Sequence, residues 1–273
     1  MADPGRRFHS LRDKVFRRGV LTRAWGDVRR NNGAAGIDRT TLAVVEEYGV
    51  SRLLDELAGE LREDRYRPLA ARRVFIPKPG SDERRPLSIP VLRDRVLQAR
   101  VVNALEPEWE ARFEPRSYGS RPGRGCHDAI EAIFWTLKGR RSKRQWVLDA
   151  DLSAAFDRID HDRLLAHLGT FPGRGMVAGW LAAGVVEQGR FAPTEEGTPQ
   201  GGVVSPLLLN IALHGMEEAA GVRYLRCDPH GANVTAGALV LVRYADNFVV
   251  LCHTRDQAEQ SAGTFSGEGS QAM

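Results

Sequence analysis

The stretch WVLDADLSAAFDRIDHD, near the middle of the chain, contains in DAD two carboxylates separated by a single residue. Asp149 and Asp151 end a short β-favouring run, and residues two apart in a strand point to the same face. Two acids on one face of an apolar strand repel each other and resist burial, and a divalent cation would compensate their charge. By itself the pair is equally typical of a solvated strand end.

A further carboxylate occurs in LVRYADNFVVL, where β-favouring residues flank Asp246 and Asn247. The pattern predicts a β-hairpin with these two residues at its tip. Asp and Asn are also ordinary turn residues, so the stretch alone is compatible with a plain turn. If the hairpin pairs with the strand of Asp151, the two carboxylates could share a metal ion.

The surrounding sequence predicts helices and a few strands that are not adjacent in the chain. Helical spacing of apolar residues is found at 10–30, 51–63 and 92–113. The segment CHDAIEAIFWTLKG predicts a helix that packs Ile130, Ile133, Phe134 and Leu137 inward. ARRVFIPKPGSDERRPLSIP predicts two strands joined by a turn, and GTPQGGVVSPLLLNI predicts a glycine loop that opens a helix. This alternation indicates an α+β protein with a small sheet.

The composition is that of a globular protein. At 273 residues and 42% hydrophobic content, the chain can bury a core in one domain or two lobes. No apolar run reaches membrane-spanning length and no secretion signal is present, so we expect a cytoplasmic protein without membrane contacts. The three cysteines are far apart and support neither a disulfide framework nor a zinc site. Nothing in the sequence indicates the oligomeric state.

Charge is distributed unevenly along the chain. Residues 1–150 contain 31 basic and 21 acidic residues, whereas residues 151–273 contain 8 basic and 14 acidic ones. A basic half beside an acidic half suits a protein that binds a polyphosphate and metal ions. Charge runs are also common on solvated surfaces, so this argument is weak by itself.

Six sequence blocks, taken in order, resemble the reverse transcriptases encoded by bacterial group II introns, also called intron maturases. The resemblance covers about residues 10–260. The blocks are GAAGID, RPLSIPVLRDRVLQ, SYGSRPGRGCHDAI, DADLSAAFDRIDH, GTPQGGVVSPLLLNI and VRYADNFVVL. It implies an RNA-directed DNA polymerase that adds deoxynucleotides to a primer 3′ end with Mg²⁺. The implied partners are a group II intron RNA template, a DNA primer and deoxynucleoside triphosphates.

The implied fold is the fingers and palm of a polymerase right hand, with a small antiparallel palm sheet packed on helices. We expect an N-terminal helical extension at 1–50, fingers at 51–143, an incomplete palm at 144–260 and a disordered tail at 261–273. The family continues with a thumb, which we expect to be absent here because the chain ends in a different sequence. A truncated intron-encoded protein is therefore expected.

The resemblance also implies the catalytic and metal-binding residues. Asp151 matches the acid of the first palm motif, and Asp246 matches the first acid of the Tyr-Ala-Asp-Asp box. Asp246 and Asp151, together with Leu152, form the implied magnesium set, while Asp149 is expected to be structural. Asn247 replaces the second aspartate of the box. An amide oxygen can coordinate Mg²⁺ but brings no charge, so polymerisation should be weakened or lost.

The implied nucleotide contacts come from separate blocks. Lys78 and Arg85 match basic residues that bind the triphosphate, Lys78 as a point charge and Arg85 through a bidentate fork. Phe156 matches an aromatic residue under the sugar that disfavours a 2′-hydroxyl, although a core phenylalanine fits the sequence equally well. Gln200 and Gly201 match the loop that approaches the nascent base pair.

Five arginines are implied to contact nucleic acid. They are Arg72, Arg73, Arg84, Arg121 and Arg124. For the last two, a loop arginine satisfied by the protein itself is the alternative. The main alternative for the whole chain is a non-catalytic RNA-binding fragment. A magnesium-dependent nucleotidyltransferase of other specificity is disfavoured because it would not need the TPQGG and RPLSIP blocks.

Overall fold

The computed structural model describes residues 18–78, 80, 82–138, 143–228 and 231–266. It is a mixed α+β structure with small sheets, in agreement with the sequence. The helices are α1 Arg18–Asn31, α2 Leu42–Tyr48, α3 Val50–Arg62, α4 Leu92–Glu110, α5 Cys126–Leu137, α6 His161–Leu168, α7 Arg174–Ala182, α8 Ser205–Ala212, α9 Met216–Ala219 and α10 Arg255–Phe265. The strands are β1 Ala71–Pro77, β2 Arg84–Ile89, β3 Trp146–Asp151, β4 Val185–Glu187, β5 Arg190–Ala192, β6 Tyr224–Asp228, β7 Gly231–Val234, β8 Val240–Tyr244 and β9 Asn247–Cys252.

The chain forms two compact units, each made of two segments. Unit 1 consists of Met1–Glu108 and Phe156–Ser205, and unit 2 of Trp109–Ala155 and Pro206–Met273. The sequence predicts consecutive lobes instead, and the division into fingers at 51–143 and palm at 144–260 stays a prediction.

Unit 1 contains a four-stranded sheet in the order β2-β1-β4-β5. The antiparallel β1–β2 hairpin is the strand pair predicted from the sequence, and β1 pairs in parallel with β4. Helices form the rest of the core of unit 1. The apolar residues of α1 and α3 recur at helical spacing, which places their side chains on the buried side of each helix. The largest contributions from these two helices are Leu21, Trp25, Leu53, Leu54 and Leu57.

Unit 2 contains an antiparallel three-stranded sheet in the order β3-β9-β8 and a separate β6–β7 pair. The predicted hairpin is present as β8 and β9, which are joined by a two-residue turn. Helix α5 packs on one face through Ala129, against Val240, Val242 and Leu251. Helix α10 packs on β3 and β9.

Two expectations about helices were wrong, the first of them in part. In α5, Ile133 and Leu137 pack against the core as expected, but Ile130 and Phe134 are 60% and 53% exposed, and Ala129 is buried. Because this helix carries apolar residues on most sides, its pattern does not define the buried face.

Residues 261–265 are helical and not disordered, since Thr254 caps α10 and the ring centre of Phe265 lies 4.9 Å from that of Phe248. Residues 267–273 lie outside the described part.

Within the described residues, no helix has both the length and the apolar character needed to cross a lipid bilayer.

Candidate active site

The end of strand β3 lies beside the start of β9. Asp151 pairs with Asn247, and the N–H of Leu152 donates to the carbonyl of Asp246 at 3.0 Å. In an antiparallel ladder this bond pattern defines a non-hydrogen-bonded pair, whose side chains lie close together on one face of the sheet. Asp149, two residues earlier, points to that same face opposite Val249.

Asp246 occupies the hairpin turn itself. Tyr244 pairs with Asn247, so Ala245 and Asp246 form the two-residue loop. The side-chain amide of Asn247 donates to Oδ1 of Asp246 at 3.1 Å. Asn247 thus stands between the two acids, directly opposite Asp151 and in contact with Asp246. The structure therefore brings the two predicted carboxylates to the same end of one sheet.

The donor set at this end fits a magnesium ion. Asp151 is exposed and Asp246 half-buried, so both carboxylates are accessible. Leu152 offers only its backbone carbonyl, which accepts an N–H from Ala155 at 3.2 Å and has a second lone pair. Mg²⁺ is usually bound by one or two carboxylates, with water and substrate phosphates completing its shell. Among the described residues there is no cluster of three or more His, Cys, Asp or Glu arranged for a metal.

Two predicted triphosphate ligands lie at the β1–β2 hairpin of unit 1. Arg85 is exposed on β2 opposite Ile76. Lys78 follows β1, and its ammonium group donates to Oε2 of Glu83 at 2.5 Å. The positive charge of Lys78 is therefore balanced by a carboxylate, whereas Arg85 presents its guanidinium to solvent.

The glycine loop of unit 1 docks on the strand that carries Arg85. The carbonyl of Gln200 accepts the N–H of Ser88 at 2.6 Å. Gly201 has a φ of +104°, and a Cβ there would lie 2.7 Å from Cδ1 of Leu87, so this close approach requires glycine. Leu87 and Arg85 share one face of the strand. The structure thus brings the predicted loop residues next to a predicted triphosphate ligand.

Phe156 lies beside the same loop. Its carbonyl accepts the N–H of Thr198 at 2.7 Å, and the neighbouring Asp157 accepts the side-chain amide of Gln200 at 3.4 Å. The ring is half-buried, which leaves part of its surface accessible.

The three predicted template arginines of the first hairpin project to different faces. Strand alternation places Arg73 and Arg84 on one face of the β1–β2 pair, and Arg72 with Arg85 on the other. The guanidinium of Arg72 makes two hydrogen bonds to the carbonyl of Ala35, at 3.0 and 2.7 Å. Arg72 therefore fixes a loop of unit 1, while Arg84 is exposed.

Arg121 is committed to the interior of unit 2. Its side chain is 1% exposed and pairs with Glu110 at 2.8 Å. It also donates to the carbonyls of Glu114 and Ser117, at 2.9 and 2.6 Å. This matches the alternative of a satisfied loop arginine, because the guanidinium has no surface left for a nucleic acid.

Arg124 is half-buried, and only part of its guanidinium is bound within the protein. It donates to the carbonyl of Pro115 at 2.7 Å and lies 5.5 Å from the ring centre of Tyr118. Burial lowers the pKa of its guanidinium, and the nearby charge of Arg121 lowers it further.

Sequence reasoning did not single out the polar residues behind the hairpin tip. Arg243 and Asn210 are each 1% exposed, and a hydrogen bond of 2.9 Å joins them. A signal was present in both cases, because a single polar residue interrupts the apolar stretches VLVRY and PLLLNIAL. A lone polar residue at a core position requires a buried partner.

Residues 76–271 match the family described as reverse transcriptase (RNA-dependent DNA polymerase). Because the match covers more than half of the chain, the chain belongs to the reverse transcriptase family.

Individual relatives relate the chain to proteins encoded by group II introns. Protein YkfC of Escherichia coli K12 is 39% identical over 198 residues, which are 71% of this chain and 51% of that protein. The group II intron-encoded protein LtrA of Lactococcus lactis is 32% identical over 217 residues, 77% of this chain and 35% of LtrA. An uncharacterized 91 kDa protein in the cob intron of Schizosaccharomyces pombe is 35% identical over 170 residues, 61% of this chain and 20% of that protein. The chain spans about half or less of these relatives, and the resemblance to group II intron-encoded proteins is confirmed.

Proposed function

We propose that this chain is the fingers and palm part of an RNA-directed DNA polymerase of the group II intron type. It would add deoxynucleotides to a DNA primer on an RNA template such as intron RNA. One observation carries the proposal. Asn247 lies opposite Asp151 in the β3–β9 ladder and donates a hydrogen bond to Asp246, so both acids lie at one end of the β3-β9-β8 sheet. Two carboxylates from distant parts of the chain are the donors that a magnesium-dependent nucleotidyl transfer needs.

The side chains at the sheet end have distinct proposed roles. Asp151 and Asp246 would hold Mg²⁺, with the carbonyl of Leu152 as a further oxygen donor. Bound Mg²⁺ would lower the pKa of the primer 3′-hydroxyl and neutralise charge on the triphosphate. The two carboxylates are carried by a strand end and a tight turn of one sheet, which would hold them in place for Mg²⁺ and substrate.

Residues of unit 1 have proposed roles in substrate binding. Arg85 would bind the triphosphate through its planar fork, with Lys78 as a second positive charge. Phe156 would lie under the sugar, and Gln200 and Gly201 would approach the new base pair.

Template binding would use the arginines that are exposed or only partly bound within the protein. Arg84 and Arg73, on one face of the first hairpin, and the half-buried Arg124 are proposed to contact phosphates. Arg72 and Arg121 are left out, because their guanidinium groups are bound within the protein. We retain residues 51–143 as the proposed fingers and 144–260 as the proposed palm.

The neutral Asn247 should limit the reaction. A unit charge at 4 Å from another is worth about 4 kcal/mol at an effective dielectric constant of about 20, before relaxation. The side-chain amide of Asn247 donates to Asp246 and brings no negative charge to the site. The chain as it stands is therefore expected to extend a primer slowly.

Primer extension on an RNA template with Mg²⁺ tests the proposal. The Asn247→Asp variant should be at least about tenfold faster than the unmodified chain, because it restores a metal-binding charge. Asp151→Ala should abolish extension in either background. Equal rates for the unmodified chain and Asn247→Asp would contradict the proposed role of residue 247. RNA binding without extension in Asn247→Asp would favour a non-catalytic RNA-binding protein instead.

A further inference from the structure

A buried arginine lies directly behind the tip of the β8–β9 hairpin. Arg243 is 1% exposed and precedes Tyr244, the last residue of β8. Burial lowers the pKa of its guanidinium to about 10, so the group stays charged at neutral pH. A buried charge is costly unless hydrogen bonds satisfy it. The partners of Arg243 therefore indicate why the residue is there.

The guanidinium of Arg243 binds three separate segments of unit 2. One terminal nitrogen, Nη1, donates to Oδ1 of Asn210 at 2.9 Å and to the carbonyl of Ala245 at 3.0 Å. The other, Nη2, donates to the hydroxyl of Ser117 at 2.7 Å. The carbonyl of Ala245 belongs to the peptide that joins Ala245 to Asp246. Arg243 thus fixes the backbone immediately before a proposed metal ligand.

The turn needs such support. Ala245 has a φ of +55°, a left-handed conformation that alanine rarely adopts and that persists only when its surroundings impose it. The amide of Asn210 donates to the carbonyl of Gly119 at 2.9 Å, and Gly119 itself lies against the backbone of Ala245. Arg243 and Asn210 therefore hold both the turn and the loop that backs it.

We propose that Arg243 is a positioning residue for the metal site, and that its guanidinium keeps the Ala245–Asp246 peptide where the Asp246 carboxylate lies on the Asp151 side of the sheet. The consequence for metal binding rests on the proposed function, whereas the consequence for hairpin rigidity does not. Lysine cannot replace Arg243, because an ammonium group lacks the planar fork that reaches three acceptors in fixed directions.

Two measurements on the full chain test the proposal. Hydrogen exchange at residues 244–248 reports the rigidity of the hairpin tip, and a titration with Mn²⁺ followed by electron paramagnetic resonance reports metal affinity. Arg243→Lys is the test variant. Arg95→Lys is the control, because Arg95 is also buried, at 4% exposure, and its acceptors, the carbonyls of Pro90 and Ala34, are not those of Arg243. Asp246→Asn shows which part of the Mn²⁺ binding belongs to the site.

Arg243→Lys should accelerate exchange at the tip and weaken Mn²⁺ binding, each about tenfold, as loss of the groups that orient metal ligands commonly does. Ser117→Ala, which removes one acceptor and should fold normally, is expected to shift both readouts in the same direction by about threefold. Arg95→Lys should change neither beyond about twofold.

The outcomes distinguish the role of Arg243 in the hairpin from the proposed metal site. Unchanged exchange at the tip in both Arg243→Lys and Ser117→Ala, or an equal acceleration in Arg95→Lys, would overturn the role of Arg243. If Arg243→Lys loosens the tip while Asp246→Asn leaves Mn²⁺ binding intact, the role of Arg243 in the hairpin stands and the proposed metal site fails.

Discussion

The two hairpins that carry proposed site residues are built differently. In the β1–β2 hairpin of unit 1, Arg84, Arg85 and the apolar Phe75 and Ile76 are all exposed. In the β8–β9 hairpin of unit 2, eight of the eleven strand residues are buried, and Arg243 binds the two-residue turn from behind.

The difference corresponds to the ligands proposed for each hairpin. A long arginine side chain can follow a phosphate group, so the backbone beneath it does not need to be rigid. A carboxylate that binds Mg²⁺ has a short side chain and must meet a near-octahedral geometry at about 2.1 Å, so its backbone must be fixed. We infer that the second hairpin is the rigid one. The predictions below test that contrast.

The largest effect is expected at Gly119, which lies behind the second turn. A Cβ at this position would be 2.2 Å from the backbone nitrogen of Ala245 and 2.9 Å from its Cα. Because the obstacle is backbone and not a flexible side chain, Gly119→Ala should lower the free energy of unfolding by about 3 kcal/mol. Urea unfolding measures this change.

Gly125→Ala in the same loop is the control for Gly119→Ala. A Cβ at Gly125 would meet nothing closer than the carboxylate of Asp128 at 3.7 Å, so the loss should be about 1 kcal/mol or less. Similar losses in the two variants would show that the second hairpin tip moves aside easily, and the contrast between the hairpins would fail.

Sequence reasoning located the parts of the site that depend on local order. The spacing of Asp149 and Asp151 and the apolar runs around Asp246 define strand faces and a turn, and both strands form as expected. These features depend on alternation along a few residues, which the sequence displays directly.

Features that depend on distant partners could not be predicted in this way. Arg121 is buried because Glu110, eleven residues earlier, pairs with it, and Arg72 is occupied by the carbonyl of Ala35. An arginine in a loop looks the same in sequence whether it meets a nucleic acid or a carboxylate of its own chain. The buried role of Arg243 was missed for the same reason, since Asn210 and Ser117 come from other segments.

A second effect concerns the polar interior behind the second hairpin. Glu217 on α9 is 3% exposed, and the hydroxyl of Tyr224 donates to it at 2.5 Å. Arg116 donates to the same hydroxyl, and its carbonyl accepts the N–H of Arg243 on β8. Burial, with a contribution from the charge of Glu114, raises the pKa of Glu217 from 4.5 to about 7.

The raised pKa of Glu217 makes stability depend on pH. Below pH 4.5 the carboxyl is protonated in both the folded and the unfolded chain. As pH rises from 4.5 to about 7 the unfolded chain releases its proton first, so the free energy of unfolding falls, by at most about 3 kcal/mol. Glu217→Gln should remove this decline in urea unfolding measured between pH 6 and 7.

Unit 1 offers a matched control for Glu217 in another buried carboxyl. Burial raises the pKa of Asp94 from 3.8 to about 6, and Tyr66 donates to it at 2.6 Å. Asp94→Asn should therefore remove only the part of the decline below about pH 6 that Asp94 contributes, since Glu217 also contributes from pH 4.5, and it should leave the decline between pH 6 and 7 in place. A slope between pH 6 and 7 that survives Glu217→Gln would assign it to a different group.

The smallest effect is expected at the first hairpin, where Glu83 pairs with Lys78 at 2.5 Å. Glu83→Gln should leave the urea midpoint unchanged, because an exposed ion pair stabilises little, yet it should tighten binding of a deoxynucleoside triphosphate about twofold by releasing the charge of Lys78. Calorimetry with Mg²⁺ present measures the affinity. The control is Glu63→Gln, which removes the exposed ion pair with Arg65 elsewhere in unit 1. The same gain in both variants would indicate a general charge effect, and no gain in Glu83→Gln would remove Lys78 from the proposed triphosphate contacts.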